Sequence, residues 1–223
     1  TWGRFKQKTF PAPGNHDYHT PLAASYYDYF GARAGPERRG YYSFDVAGWH
    51  VVSLNSNIAD DKGAEQIKWL REDLAASNAR CTIAYWHHAL FTSSLRGNNR
   101  MMKTAWKILH EAGADIVLSA HDHHYERFIP QDAEGNADIT RGVREFLVGT
   151  GGANLSPVTD PPRPPPRGTR IATGGEDVVG AFTNNTAWCD QVLASAKACG
   201  EDVWPMPMHP HFAELLKSDV ADV

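Results

Sequence analysis

Three short blocks hold most of the residues in this chain whose types and spacing could do chemistry: Gly14-Asn15-His16-Asp17, Trp86-His87-His88, and His121-Asp122-His123-His124-Tyr125-Glu126-Arg127. Imidazole nitrogens bind zinc, iron and manganese-type ions, and an asparagine amide oxygen binds a hard or borderline ion. His121 and His123 are two apart, so on an extended strand end both would face one way while Asp122 and His124 face the other. His87 and His88 are neighbours whose side chains should diverge, and His87 is the expected ligand of the two. Gly14 lets the backbone turn sharply next to Asn15, and His16 is placed to protonate a leaving oxygen. Each block alone has a plainer reading. An isolated His-x-His is more often a polar loop, and Gly-Asn-His-Asp an ordinary Asx turn. Three blocks at three strand ends favour a shared metal site.

The elements that must position these residues are visible in the hydrophobic pattern. Tyr41 to Val46 and Trp49 to Leu54 read as a hairpin around Ala47-Gly48, and Ala64, Ile67, Leu70 and Leu74 mark a surface helix between Asp61 and Ser77. Cys81 to Tyr85 reads as a buried strand, Met101 to Ala112 as a helix closing near Gly113, and Asp115 to Ser119 as a second buried strand. Arg144 to Val148 supplies another strand before Gly149-Thr150-Gly151-Gly152. This alternation predicts an α/β sheet, and ligands in such folds gather at the carboxyl ends of strands. His87 and His121 directly follow two of the strands, and Asn15 sits in a Pro-Gly turn after Phe10. The Pro-rich run Pro157 to Pro166 sets a boundary near residue 156, which divides the chain into 1–156 and a weakly patterned tail, 157–223. In the tail, Ala187 to Ala198 and Phe212 to Lys217 are candidate short helices. His209 and His211, among prolines, carry little weight as ligands.

With 223 residues and 42% hydrophobic content, the chain can bury one substantial core. A net charge of −4 argues against a basic nucleic-acid surface but is compatible with a small phosphorylated substrate at a local metal site. Three cysteines are too few for a disulfide framework; Cys81 reads as buried, and Cys189 and Cys199 are left as a candidate bridge. No apolar run reaches the length of a membrane span, and the sequence does not open on a charged-then-apolar leader of the signal-peptide kind, which leaves export undecided. His50 and His110 read as packing or surface histidines, and Tyr85 and Trp86 as packing residues. Nothing in the pattern indicates an oligomeric state.

Taken in order, the three blocks resemble the calcineurin-like metallophosphoesterase superfamily, and Ala120-His121-Asp122-His123-His124-Tyr125-Glu126-Arg127 is closest to its purple acid phosphatase branch. The resemblance covers roughly residues 8–153. It implies an α/β/β/α sandwich, here incomplete at the amino end and followed by an irregular carboxyl-terminal tail. It further implies two divalent or trivalent metal ions (iron, zinc or manganese), with fewer expected on this chain. Asn15, His87 and His121 would bind one metal, His123 would help bind the second, His16 would assist the leaving group, and Asp17 and Asp122 would support the ligands. The implied reaction is hydrolysis of a phosphoric ester, a monoester by preference, through in-line attack of a metal-bound hydroxide. The family's Asp-x-His and Gly-Asp-x-x-Tyr blocks should precede Gly14, so the chain reads as amino-terminally truncated and its activity is expected to need that upstream sequence. Alternatives are an inactive remnant or metal-binding module, or a phosphodiesterase or nucleotidase of the same superfamily. Export is also implied, and Asn154-Leu155-Ser156 and Asn184-Asn185-Thr186 fit the glycosylation pattern.

Overall fold

The computed structural model describes residues 2–58, 60–94, 97–151, 153–155 and 170–172. Their centre is a seven-stranded mixed sheet in the order β1-β2-β3-β4-β6-β5-β7, formed by Tyr42–Val46 (β1), Trp49–Ser53 (β2), Cys81–His88 (β3), Ile116–Ala120 (β4), Tyr125–Arg127 (β5), Arg144–Val148 (β6) and Arg170–Ala172 (β7). β1 and β2 pair antiparallel across Ala47-Gly48, where both residues take positive φ. β2, β3, β4 and β6 run parallel, so their carboxyl ends lie along one edge, whereas β5 returns antiparallel to β6 and β7 to β5. The expected α/β class is therefore what is observed, and the described residues supply one sheet of the expected sandwich. Among them, no helix is long and apolar enough to cross a membrane.

Among the described residues, three α-helices accompany the sheet: Ala24–Phe30 (α1), Asp60–Ala76 (α2) and Lys103–Ala112 (α3). α3 buries Ala105, Trp106, Ile108 and Leu109, the i, i+3 and i+4 spacing of one helical face, and ends at Gly113 with φ 78°. Leu70 of α2 and the buried face of α3 share a core with Val52, Ala84 and Val117, which sit side by side on β2, β3 and β4. The sheet's other face carries a smaller cluster around Ile116, Tyr125 and Phe146.

The hairpin, α2, α3, β4 and β6 fall within a residue or two of the predicted positions. α1, β5 and β7 leave no signal in the hydrophobic pattern, because a seven-residue helix and three-residue strands are too short to show a period. Two local expectations are corrected. β3 does not stop before His87; it continues through His88 with a register shift between Tyr85 and His88. His121 and His123 do not share an extended strand end either, because β4 ends at Ala120 and the next residues fold into a tight turn. In that turn the Asp122 N–H bonds the Ala120 carbonyl and the His124 N–H bonds the Asp122 carbonyl, each at 2.9 Å. The candidate tail helices, His209, His211, and the Cys189 and Cys199 pair lie outside the described residues.

Candidate metal centre

Three chain segments bring potential ligand atoms to one point. Asn15 sits in a turn closed by Gly14, whose N–H donates to Asp17 Oδ2 at 2.8 Å. The Asn57 amide donates to the Pro13 carbonyl at 2.8 Å and the Asn55 amide to the Tyr18 hydroxyl at 2.7 Å, tying this turn to the end of β2. Asp17 thus holds the loop that presents Asn15. At that point His87 Nε2 lies 2.8 Å from Asn15 Oδ1 and 3.0 Å from His121 Nδ1, and His121 Nδ1 lies 3.2 Å from Asn15 Oδ1.

This triangle fits a cation. Ligands about 2.1 Å from an ion sit roughly 3.0–3.4 Å from one another in octahedral or tetrahedral geometry. Protons alone do not satisfy it. With Oδ1 an acceptor and each nitrogen bearing at most one proton, at least one of the three contacts sets lone pair against lone pair or proton against proton. The electrostatics agree. Burial and the neighbouring histidines His88, His121, His16 and His123 lower His87 to about 3, and burial with His121 lowers His88 to about 4. Both imidazoles are neutral near pH 7, as a metal ligand must be.

Close backbone approaches hold the arrangement. A Cβ on Gly14 would stand 3.0 Å from the His87 ring, so glycine is what lets the Asn15 turn lie against that imidazole. A Cβ on Gly149 would stand 1.8 Å from the Asp122 carbonyl, and the Gly149 N–H bonds the His124 carbonyl at 3.1 Å. The glycine turn after β6 thus braces the histidine turn after β4. His121 itself has φ 69°, a left-handed conformation costly for a non-glycine residue and typical of residues held in place for a site.

His88 does not diverge from His87. The bulge in β3 leaves the two rings 4.8 Å apart, with His88 4.5 Å and His87 5.0 Å from His121. His87, His88 and His121 form a group whose ligand atoms all fall within 4.8 Å. Ser56 Oγ accepts from the His88 backbone N–H at 3.0 Å and sits 2.9 Å from its Nδ1. Ser56 thus fixes both the backbone and the ring of His88 at the end of β3. His88, His121 and buried Asp122 line a cavity of about 320 Å³ together with Asn98, Asn99 and Arg100. A second cavity, of about 330 Å³ between Asp115, Arg141 and Arg144, lies at the opposite strand ends.

The other predicted residues are distributed as follows. His123 is half-buried, with Nδ1 2.9 Å from the Asn154 carbonyl, outside the three-atom cluster. His16 is exposed and packs against His19 at 4.7 Å. Trp86 is buried against Trp106, as expected of a packing residue, and its indole donates to the His88 carbonyl at 2.8 Å. His110 bonds Asp138 at 3.0 Å, and His50 is buried between Asp45 and Asp73. Sequence reasoning missed Ser56, Asn57 and His88. Asn55-Ser56-Asn57 was detectable as a polar run at a strand's carboxyl end, the same signal that located His121.

Comparison with known proteins accords with this geometry. Residues 2–125, more than half of the chain, match the calcineurin-like phosphoesterase family. The chain is 33% identical over 145 residues to purple acid phosphatase 15 of Arabidopsis thaliana, covering 56% of this chain and 27% of that protein. It is 34% identical over 120 residues to purple acid phosphatase 22 of the same plant, covering 50% of this chain and 27% of that protein. It thus spans about a quarter of the length of these relatives. The solved purple acid phosphatase PPD1 from yellow lupin (Lupinus luteus) seeds shares the fold, with a TM-score of 0.52 at 19% identity over 66% of this chain and 32% of that one. A different likeness occupies the tail. Residues 168–223 match the catalytic domain of the cytosol aminopeptidase family, and 56 residues are 46% identical to a probable cytosol aminopeptidase of Chlorobaculum parvum, 25% of this chain and 11% of that protein. On the match over residues 2–125, which contains Asn15, His87 and His121, the chain belongs to the calcineurin-like phosphoesterase family.

Proposed function

We propose that residues 1–156 carry part of a metal-dependent phosphoric ester hydrolase centre that acts on small phosphomonoesters. The observation that carries this reading is the Asn15, His87 and His121 triangle, with edges of 2.8, 3.0 and 3.2 Å. These three residues would hold an ion, and His123, two residues after His121, would help hold a second once its ring leaves the Asn154 carbonyl. A bound ion supplies Lewis acidity at a phosphoryl oxygen and lowers the pKa of water. The protein's own groups do the rest. His16, exposed beside Asn15, gives a proton to the departing alkoxide. The His88 imidazole and the Arg100 guanidinium, both lining the cavity, would donate to phosphoryl oxygens. Gly14 and Gly149 keep the ligand turns close enough that the ring nitrogens need not move.

Elemental analysis after incubation with zinc, manganese or iron, followed by hydrolysis of p-nitrophenyl phosphate, tests this reading. Bound metal that is lost on Asn15→Ala and His87→Ala, with turnover that falls in parallel, is the expected result. Metal content indifferent to both substitutions would overturn it.

A second reading is a metal-binding module without turnover, favoured by His123 lying with the Asn154 carbonyl and not with the cluster. It predicts one ion per chain and no hydrolysis. We also propose that the chain divides near residue 156, since the two family likenesses fall on the separate ranges 2–125 and 168–223. Secretion, implied by the resemblance, is kept as a proposal, to be tested by whether Asn184 carries a glycan.

A further inference from the structure

We propose that Glu126 and Glu145 are positioning residues: a buried carboxylate pair that fixes the separation of the two strand exits carrying His87 and His121. The inference rests on the metal-centre reading above for its purpose, but its geometry is independent of any ion. Both side chains are fully buried, on neighbouring strands β5 and β6, which is costly for carboxylates unless every lone pair is used.

Their lone pairs are used in a particular way. On one side they accept from the segment that leaves β3: Glu126 takes the Ser93 N–H at 2.9 and 3.1 Å, and Glu145 takes the Phe91 N–H at 3.2 Å and also the Leu90 N–H. On the other side they bond β4 and the turn that follows it. Glu145 accepts from Ser119 Oγ at 2.8 Å, and Glu126 Oε1 lies 2.8 Å from His124 Nε2. Each carboxylate therefore bridges the two ligand-bearing exits. Ser119 is two residues before His121, His124 is one after His123, and Leu90 is three after His87.

The two carboxyls are not equivalent. Burial foremost, with the nearby Glu126 charge, pushes Glu145 up to about 8, against the pull of its bonds from Ser119, Phe91 and Leu90. Glu145 is thus easier to protonate than an ordinary carboxyl, and because Oε1 bonds the Ser119 hydroxyl, which can turn to accept as well as donate, glutamine is a fair substitute for it. Glu126 accepts from two N–H groups at once, so a glutamine there satisfies only one well.

The test uses the full 223-residue chain and two readouts, one independent of metal and one dependent on it. Amide hydrogen exchange of Glu126→Ala should accelerate at 90–93 and 121–124 and stay at wild-type rates in α2 and β2. Cobalt(II), followed by its d–d spectrum, should bind Glu126→Ala roughly 10- to 100-fold more weakly, the usual effect of removing a group that orients ligands. Glu126→Gln should recover part of both effects, and Glu145→Gln should resemble wild type. Exchange that rises uniformly over the sheet, or cobalt affinity unchanged when the two exits loosen, would overturn the brace. Should wild type bind no cobalt, the metal-centre reading fails and the exchange pattern alone decides the brace.

Discussion

Asn15, His87 and His121 are held within hydrogen-bonding distance of one another by features outside these three side chains, and the tightest of these is a missing side chain. A methyl group at residue 14 would meet the His87 ring at 3.0 Å, closer than most Cβ contacts in proteins, so either the turn or the imidazole must shift by a few tenths of an ångström. Gly14→Ala is therefore expected to weaken zinc binding by roughly tenfold, the scale on which misplaced ligands and their supports act. Because residue 14 belongs to none of the hydrophobic clusters, the unfolding midpoint should change little. Isothermal titration with zinc and a thermal melt of the same sample separate these outcomes; equal zinc affinity in the two proteins would show that the turn is not set by the ring. His121 is a complementary case. Its left-handed backbone costs about 1–2 kcal/mol for a residue with a Cβ, a cost sustained by the packing around the turn.

At the scale of elements, two attachments decide where the site-bearing loops sit. The first is the contact of the β6 exit with the β4 exit. Gly149→Ala puts a carbon where the Asp122 carbonyl now is, and the clash is with backbone, so the histidine turn must move. A loss of about 1–3 kcal/mol, the range for overpacked sites, is expected in urea titration together with loss of metal binding. Full retention of both would show that the turn yields without cost. The second is the clamp of α2 on the β1–β2 hairpin. Buried His50 bonds Asp45 at 2.7 Å and Asp73 at 2.8 Å, and Asp73 also accepts from Ser43 at 2.6 Å. Burial alone would lower the His50 pKa, but its bonds to Asp73 and Asp45 and the charges of both carboxylates raise it above the usual 6.5. With the folded value above the unfolded one, the stabilisation is complete below about pH 6.5 and is lost as pH rises through the raised value. Melting temperature should fall across that window in the wild type and vary less with pH in His50→Gln; identical profiles would remove the clamp from the account.

At the scale of the whole molecule, the centre and the core are one cooperative structure. The strands that carry His87 and His121 are the same strands whose Ala84 and Val117 pack on Leu70, Trp106 and Leu109. An ion held only by the folded arrangement must then stabilise the whole fold. Zinc at about 100 times its dissociation constant should add about 2.7 kcal/mol to unfolding free energy. Chelation should remove that increment, and His87→Ala should show none of it. A melting temperature that does not respond to zinc in the wild type would mean that the triangle does not bind it.

The sequence by itself determined the α/β class, the hairpin, α2, α3 and the strands β4 and β6, because period and turn residues are local signals written in a few consecutive positions. It also drew attention to Asn15, His87 and His121, which the fold brings together: His87 and His121 stand out because they close or follow apolar strands, whereas Asn15, which follows no strand, stands out by its Gly14 turn. Only the tertiary structure decided the rest. The bulge that turns His88 toward His121 depends on how β3 registers against β4. The left-handed turn that separates His123 from His121 depends on the Gly149 contact from a distant strand. Glu126 and Glu145 appear in the sequence as two unremarkable charges, and their bridging role exists only once β5 and β6 lie side by side beneath the β3 exit. Each of these features is a relation between segments far apart in the chain, and no periodicity within one segment encodes it.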